Sequence, residues 1–436
     1  MNDLKPVTID RVVKDGLCIG CGTCAGMCPG EAIIIAKSES KGLYLPEISV
    51  DKCRLCQLCV ECCPGYQVDF QQLNQDIFGR QPQDRFLGNF LHCYIGHSND
   101  RRIRYESASG GIVSQLLIFA LEKGIIDGAL VVSMKEDKPL EPKPFVARTK
   151  AEILSAGRSK YCPVPANEAL RQIVSSQGKF AVVGLPCHIH GVRKAEHQNP
   201  RLKKKIVLHV CLLCSHIANF MGTEFVIEKL RIPKDQIREL RYRGKGWPGS
   251  MTIELRNGSS ANIPLVGSWY SYWPIFSSFL FTPMRCTMCP DQSGELADIS
   301  LGDAWLPELR SDKIGESIIV TRTQIAEDIL SKMVLENVIS VQSTTPEKVK
   351  QSQSVNLTFK KSDLSTRLIM LSLLGKQVPV FTPDQSSWSP MAFLRALLIY
   401  FSIAVSSDRH LRLLLVHFPI PFFRMYYGLY KLLSKG

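Results

Sequence analysis

Nine of the sixteen cysteines in this 436-residue chain fall between Cys18 and Cys63, and they repeat one pattern twice. The first copy is Cys18-Ile-Gly-Cys21-Gly-Thr-Cys24-Ala-Gly-Met-Cys28-Pro29. The second is Cys53-Arg-Leu-Cys56-Gln-Leu-Cys59-Val-Glu-Cys62-Cys63-Pro64. Both read C-x2-C-x2-C-x3-C-P, the run that holds two [4Fe-4S] clusters in bacterial ferredoxins. Three thiolates on a tight loop cap three irons of one cubane. The fourth, after a turn fixed by proline, reaches the other cluster. Cys18, Cys21, Cys24 and Cys63 are therefore expected on one cluster, and Cys53, Cys56, Cys59 and Cys28 on the other. Zinc needs only four ligands in C-x2-C pairs and leaves the doubled run unexplained. Cys62 is surplus and reads as a passive neighbour.

A small secreted domain could use such cysteines as disulfides. This chain is long, and its opening MNDLKPVTID has no apolar signal segment. A reducing, cytoplasmic setting is expected, where clustered cysteines read as metal ligands. Two clusters make a one-electron wire, and the rest of the chain is too long for a plain ferredoxin. It is expected to hold an acceptor or catalytic site.

The fold class expected is α+β with an α/β catalytic core. A two-cluster ferredoxin-type domain spans 8–70. A flavin-binding region spans 85–165, and a second domain of the catalytic part spans 166–340. Apolar runs at 125–134, 179–186 and 204–213 read as buried strands. Helical patterns at 112–123, 166–177 and 190–198 alternate with them, which indicates a mostly parallel sheet. Residues 251–264 read as a hairpin with an Asn-Gly turn. Residues 340–390 are polar and give no clear element.

Seven cysteines lie beyond residue 90, including two C-x2-C pairs, Cys211/Cys214 and Cys286/Cys289. Cys187 follows a buried strand, and strand ends of an α/β sheet collect ligands. One further cluster could use Cys286, Cys289, Cys187 and either Cys211 or Cys214. A zinc site, a redox-active pair and inert buried cysteines are the alternatives.

Clusters move single electrons, whereas reducing an organic substrate usually takes two, and a flavin converts between the regimes. Three loops could receive one. Ser107, Ser109, Gly110 and Gly111 precede the 112–123 helix, whose free N–H groups suit a phosphate; Ser109 could also serve as an N-cap. Ser159, Lys160 and Tyr161 place a cation beside an aromatic ring. Arg243 and Lys245 sit in a glycine-rich segment with Trp247, suited to an anionic planar ligand. No GxGxxG fingerprint supports a nicotinamide-binding domain.

Together these motifs resemble the coenzyme F420 (deazaflavin) hydrogenase/dehydrogenase beta-subunit family, with an N-terminal two-cluster ferredoxin domain. The resemblance rests on Ser107-Ala-Ser-Gly-Gly111, Gly157-Arg-Ser-Lys-Tyr161, Gly184-Leu-Pro-Cys187 and Val210-Cys211. It also rests on Arg243-Gly-Lys-Gly-Trp-Pro-Gly249, Arg285-Cys286-Thr-Met-Cys289-Pro-Asp291 and Ala297-Asp-Ile-Ser-Leu-Gly-Asp303-Ala-Trp305. It implies an FAD-containing oxidoreductase with a third [4Fe-4S] cluster on Cys187, Cys211, Cys286 and Cys289. Members act on deazaflavins or chlorophyll precursors, or accompany polysaccharide synthesis. The expected activity is electron passage through the clusters to FAD and on to a small-molecule substrate. The alternative is a non-catalytic electron-transfer subunit of a larger redox complex. The family usually has one cysteine near 211, so Cys214 rivals Cys211.

The net charge is +13, from 53 Lys and Arg against 40 Asp and Glu. It suits acidic partners or an anionic membrane surface. Residues 201–250 hold eleven Lys and Arg against four Asp and Glu. Lys203, Lys204, Lys205, Arg241 and Arg243 could steer an acidic donor such as ferredoxin or hold the FAD phosphates. No nucleic-acid partner is expected. The tail, 385–436, is apolar, aromatic and basic. Its longest uncharged run, Ala396 to Ser407, is too short to span a bilayer. Peripheral contact with the inner face of the membrane is the expected use, with core packing or partner docking as the alternative.

Overall fold

The computed structural model describes residues 7–381 and 388–433. The parts of the expected tail at 385–387 and 434–436 lie outside the described residues.

An eight-stranded mixed sheet organises the chain. Its strands are β1 (His92–Ser98), β2 (Gly128–Met134), β3 (Pro142–Ala147), β4 (Phe180–Gly184), β5 (Ile206–Leu212), β6 (Ile299–Asp303), β7 (Ser317–Thr321) and β8 (Ile339–Thr344). Their order is β8-β1-β7-β6-β5-β4-β2-β3. Only β2, β4, β5 and β6 run parallel to their mutual neighbours. Pairings β6/β7, β7/β1, β1/β8 and β2/β3 are antiparallel. The expected mostly parallel sheet is thus half right. The alternating helix–strand pattern is confined to the middle of the chain, and β7, β1 and β8 extend one edge antiparallel.

The period-2 pleat sorts the strand side chains into two cores. Ala129, Val131, Leu208 and Val210 face helices α1 (Ile112–Glu122) and Gln324–Leu335. Leu130, Phe180 and Val182 face Leu170–Ser175 and helix α2 (Pro186–Gln198), with Met27 and Cys62 of the N-terminal region in the same cluster. A separate three-stranded sheet, 237–241, 250–255 and 260–264, includes the expected hairpin. Its turn holds Gly258 at φ 86°, the left-handed geometry glycine supplies.

The N-terminal region docks without slack. The Asn167 amide donates to Thr23 Oγ1 and to the His188 carbonyl, both at 2.8 Å, and its backbone N–H donates to the Cys21 carbonyl at 2.9 Å. A Cβ on Gly26 would lie 2.2 Å from the Asn167 carbonyl, and one on Gly191 would lie 2.3 Å from Thr23 Oγ1. Gly26 lets helix backbone meet the Asn167 carbonyl, and Gly191 lets α2 backbone meet the Thr23 side chain, where any added side chain would separate them.

Residues 340–381 form more regular structure than their polar composition implies. They form β8, helices Pro346–Ser352 and Ser354–Leu357, a π-helical turn at Thr358–Ser362, and helix α3 (Leu364–Leu373). The tail forms α4 (Pro390–Ser407), α5 (Arg409–His417) and α6 (Ile420–Leu433). Here the sequence reading is corrected. α4 starts six residues earlier than the uncharged run, because buried Arg395 is neutralised by Asp363 through two hydrogen bonds at 2.7 Å. Among the described residues, α4 alone is long and apolar enough to cross a membrane by length and composition.

Candidate redox centres

Cys28, Cys53, Cys56 and Cys59 line one pocket, together with Pro29 and the loop 54–58. These are the four residues expected to share a cluster. Cys56 is exposed, so this pocket opens at the protein surface. The Ala32 N–H points to Cys28 Sγ at 3.3 Å.

The other quartet is buried deeper. Burial pushes the Cys18 thiol up to about 12 and the Cys21 thiol up to about 11, and nearby Cys63 adds to both. Cys24 is raised by burial and by its neighbours Cys21, Cys63 and Cys18. Cys63 therefore crosses from the second motif to the first set, as the proline-terminated spacing requires. Gly20 N–H donates to Cys18 Sγ at 3.4 Å. Cys62 is wholly buried and its Sγ points to the Cys59 carbonyl.

A third group sits at the carboxyl ends of the parallel strands. Cys187, Cys214, Cys286 and Cys289 line one pocket, and Ile19 and Pro64 of the N-terminal motifs line it too. β4 ends at Gly184, and Pro186 starts α2, so Cys187 stands in the first turn, where the helix dipole favours negative charge. β5 ends at Leu212 and delivers Cys214 to the same place. Burial and the other cysteines raise Cys187 well above its ordinary value, and burial raises Cys214 to about 12.

The expectation for Cys211 is corrected by this geometry. Cys211 lies within β5, paired with Gly184 and Ser300, and is absent from the pocket lining. Its Sγ rests against Gly294, where a Cβ would come within 2.4 Å of it. The pleat turns it behind the pocket, while Cys214 lies past the strand end.

Sequence reasoning missed the cations here. The Arg285 guanidinium is buried and donates to the carbonyls of Gly65 and Pro64. Lys360, in the π-helical turn, donates to the Cys286 carbonyl at 3.1 Å. Arg367 donates to the Thr287 carbonyl at 2.5 Å.

The three loops considered for a flavin do converge. Arg158 Nε donates to the Glu106 carbonyl at 3.0 Å, which ties the second loop to the first. Arg243 Nη1 donates to Asp303 at 2.6 Å and to the Tyr161 hydroxyl at 3.3 Å, which ties the third to the second. Gly246 N–H donates to the Tyr105 carbonyl at 2.8 Å. Trp247 and Trp305 lie with ring centroids 4.6 Å apart. Arg243 Nη2 and Trp247 Nε1 are buried donors without a hydrogen-bond partner.

Several of the individual side chains do other work. Ser107 Oγ donates to the Ile103 carbonyl, and Ser109 Oγ bonds Ser317 Oγ at 2.9 Å. A Cβ on Gly110 would meet the Gly96 carbonyl at 2.4 Å, so strand backbone already fills that space. Gly111, at φ 78°, starts α1. Lys160 Nζ caps the carbonyls of Ala156, Gly157 and Arg158. Burial and Arg158 lower it to about 7. Lys245 is exposed at the loop crest. Among the cations expected to steer a donor, Arg243 is buried. Arg241 pairs with Glu239, and Lys205 caps carbonyls of the helix ending at Ser175.

The loop 161–164 joins the two regions. Tyr161 touches Arg243, while Cys162 and Val164 line the third cysteine pocket.

Comparisons with known proteins agree with this layout. Residues 17–67 match the 4Fe-4S dicluster domain. Residues 93–171 match the N-terminal part, and 177–347 the C-terminal part, of the coenzyme F420 hydrogenase/dehydrogenase beta subunit. The chain is 29% identical to coenzyme F420 hydrogenase subunit beta of Methanosarcina barkeri over 58% of its own length and 81% of the relative's. It is 30% identical to the protein of that name from Methanothermobacter thermautotrophicus, over 57% and 83% of the two chains. A chain in a xenon-derivatised structure of the F420-reducing [NiFe] hydrogenase complex from Methanosarcina barkeri shares the fold. The TM-score is 0.53 at 24% identity, covering 68% of this chain and 97% of that one. The chain is thus an iron–sulfur oxidoreductase-type protein belonging to the coenzyme F420 hydrogenase/dehydrogenase beta-subunit family.

Proposed function

We propose that the protein moves electrons along three [4Fe-4S] clusters between a surface donor and an FAD, which exchanges two electrons with an organic substrate of the deazaflavin class. The observation that carries this reading is the continuity of the cysteine groups. Exposed Cys56 marks one end. Cys59 shares the second motif with Cys63, and Cys21 neighbours Cys187 closely enough to raise its thiol. Residues Ile19 and Pro64 of the N-terminal motifs form part of the third pocket wall.

The donor sets suit cubanes. Buried, mutually crowded thiols resist deprotonation unless iron supplies compensating charge. Among the described residues, no three His, Cys, Asp or Glu side chains close on a single metal ion. Cys187, Cys214, Cys286 and Cys289 would hold the third cluster, with Arg285 and Lys360 offsetting its negative charge. FAD fits the convergence of the three loops. Arg243 Nη2 and Trp247 Nε1 are the donors there that lack a partner, and a flavin with its phosphates presents acceptors. When bound, FAD would convert one-electron to two-electron transfer. The chain's own contribution is placement: Asp303 fixes the Arg243 fork, and the Trp247/Trp305 pair supplies an aromatic, apolar wall.

Relatives named as hydrogenase subunits motivate the deazaflavin assignment, and an assembly in which another subunit supplies electrons at Cys56. Anaerobic purification followed by iron, sulfide and flavin analysis tests the reading. It expects about twelve irons, about twelve sulfides and one FAD per chain. Eight irons without flavin would reduce the protein to a ferredoxin-bearing scaffold. Turnover of a reduced deazaflavin with a one-electron dye, in the absence of any partner chain, distinguishes an enzyme from a relay subunit.

A further inference from the structure

The C-terminal helices are apolar on two sides at once. One face of α4 docks on the domain through Ala392, Ala396, Ile399 and Ile403. That face also carries the buried Arg395–Asp363 pair, and the Phe281 N–H donates to Ser406 Oγ at 2.9 Å. The opposite face is exposed, and from Met391 to Ala404 every exposed residue on it is apolar. Leu394, Leu397 and Phe401 form its ridge, with Phe401 61% exposed. A helix at a protein–water boundary ordinarily presents charged or polar residues there.

α6 repeats the arrangement. Phe423 and Tyr430 are buried against the domain, while Met425 and Leu432 are each 70% exposed and Leu429 lies between them. The two helices lie side by side. Ser402 Oγ and the Tyr426 hydroxyl are 2.8 Å apart, and Arg395 Nη1 donates to the Leu433 carbonyl at 2.6 Å. Both are docked by one face on the same domain, so their exposed ridges point the same way and make one apolar layer. Exposed Arg409, Arg424 and Lys431 border it. The one acid of this region, Asp408, is occupied as an N-cap by the N–H groups of His410 and Leu411.

We propose that this layer rests on an anionic lipid surface and holds the protein at a membrane without crossing it. An exposed apolar layer calls for a partner of some kind, and two features select lipid over protein. The ridges consist of aliphatic, thioether and phenyl groups with no hydrogen-bonding side chain, whereas protein interfaces carry about one hydrogen bond per 100–200 Å². The bordering charges are all positive, which complements phosphate headgroups. Crossing is disfavoured, because one side of α4 is committed to the protein and carries the buried Arg395–Asp363 ion pair. The helices therefore lie in the interface plane, apolar ridges inward.

The full-length protein is tested by flotation with vesicles of phosphatidylcholine alone and of phosphatidylcholine with one third phosphatidylglycerol. Truncating the tail is not informative, because it would uncover the domain beneath Phe423 and Arg395. Two outward-facing double variants are used instead, L397E/F401E and R424E/K431E. The proposal expects flotation with the anionic vesicles only, released by about 0.5 M salt. Each variant should lower the bound fraction at least about tenfold, with iron content and melting temperature unchanged. If L397E/F401E misfolds, R424E/K431E decides alone. Absence of flotation, equal flotation of parent and variants, or equal binding to neutral vesicles overturns it. So does a dimer in sedimentation velocity that L397E/F401E dissociates while vesicles take up no protein, which would make the layer a protein interface.

Discussion

The Nε of Arg285 donates to the carbonyl of Gly65 at 2.9 Å, and this one contact joins the end of the second N-terminal cysteine motif to the Cys286/Cys289 loop. The guanidinium is buried, and its charged neighbours are Cys289, Cys286, Cys63 and Cys187. No carboxylate among the described residues forms an ion pair with it. A cation so placed stabilises added negative charge on either side.

On the cluster assignment proposed above, Arg285→Gln keeps a donor toward Gly65 and removes the charge. It should lower the potential of the adjacent clusters by on the order of 50 mV. EPR-monitored redox titration reads this directly. Midpoints identical to the parent would show that Arg285 only fastens the loops together.

Iron content separates the two rival thiols. Cys214→Ser should lose about one third of the iron, as should Cys21→Ala and Cys56→Ala for their own clusters, while Cys211→Ser should keep all of it. Loss on Cys211→Ser with retention on Cys214→Ser would reverse the assignment drawn from the pleat of β5.

Trp247→Phe removes a donor that has no protein partner. It should weaken FAD retention about five- to tenfold while leaving the melting temperature of flavin-free protein unchanged. A variant that keeps FAD as tightly as the parent would place the flavin elsewhere. Gly110→Val is a poorer probe. Its side chain would strike the Gly96 carbonyl, so lost flavin would report a damaged strand.

The pH dependence of stability has an identifiable contributor in Asp298. Burial alone would raise its pKa, but Arg193 and His209 outweigh that and hold the carboxyl well below its ordinary 3.8. The His209 N–H and Nδ1 contact it at 2.7 and 2.8 Å. A folded pKa below the unfolded one contributes stability that is present above 3.8 and is lost as pH falls through the folded value. Thermal melts from pH 7 to about 2 should therefore fall more steeply below pH 3.8 for the parent than for Asp298→Asn, and the gap between the two should narrow steadily as the pH drops. Parallel curves would assign the acid sensitivity to another group.

Local chemistry was legible in the sequence, and side-chain direction was not. The sharing of Cys28 and Cys63 between motifs follows from ligand spacing over a few residues. The choice between Cys211 and Cys214 depends on where β5 ends, since one lies inside the pleat and the other just past it. Gly110 looked like a glycine kept small for a phosphate, whereas the constraint comes from Gly96 on a neighbouring strand. Lys360 and Arg367 escaped notice because their stretch reads as a polar surface. Their burial makes sense only once four thiols from three distant segments meet beside them.

Asn167 and the glycines at 26 and 191 have a kinetic consequence. A ferredoxin unit on a flexible leash delivers electrons by diffusing to its acceptor, so its rate follows linker length and solvent viscosity. Here the glycine backbones meet the Asn167 carbonyl and the Thr23 side chain with no room for a methyl group, and the separation between the N-terminal cysteines and Cys187 is a constant of the fold. Transfer between them should then be insensitive to viscosogens, and on the reading proposed above diffusion is left to the arrival of donor and substrate.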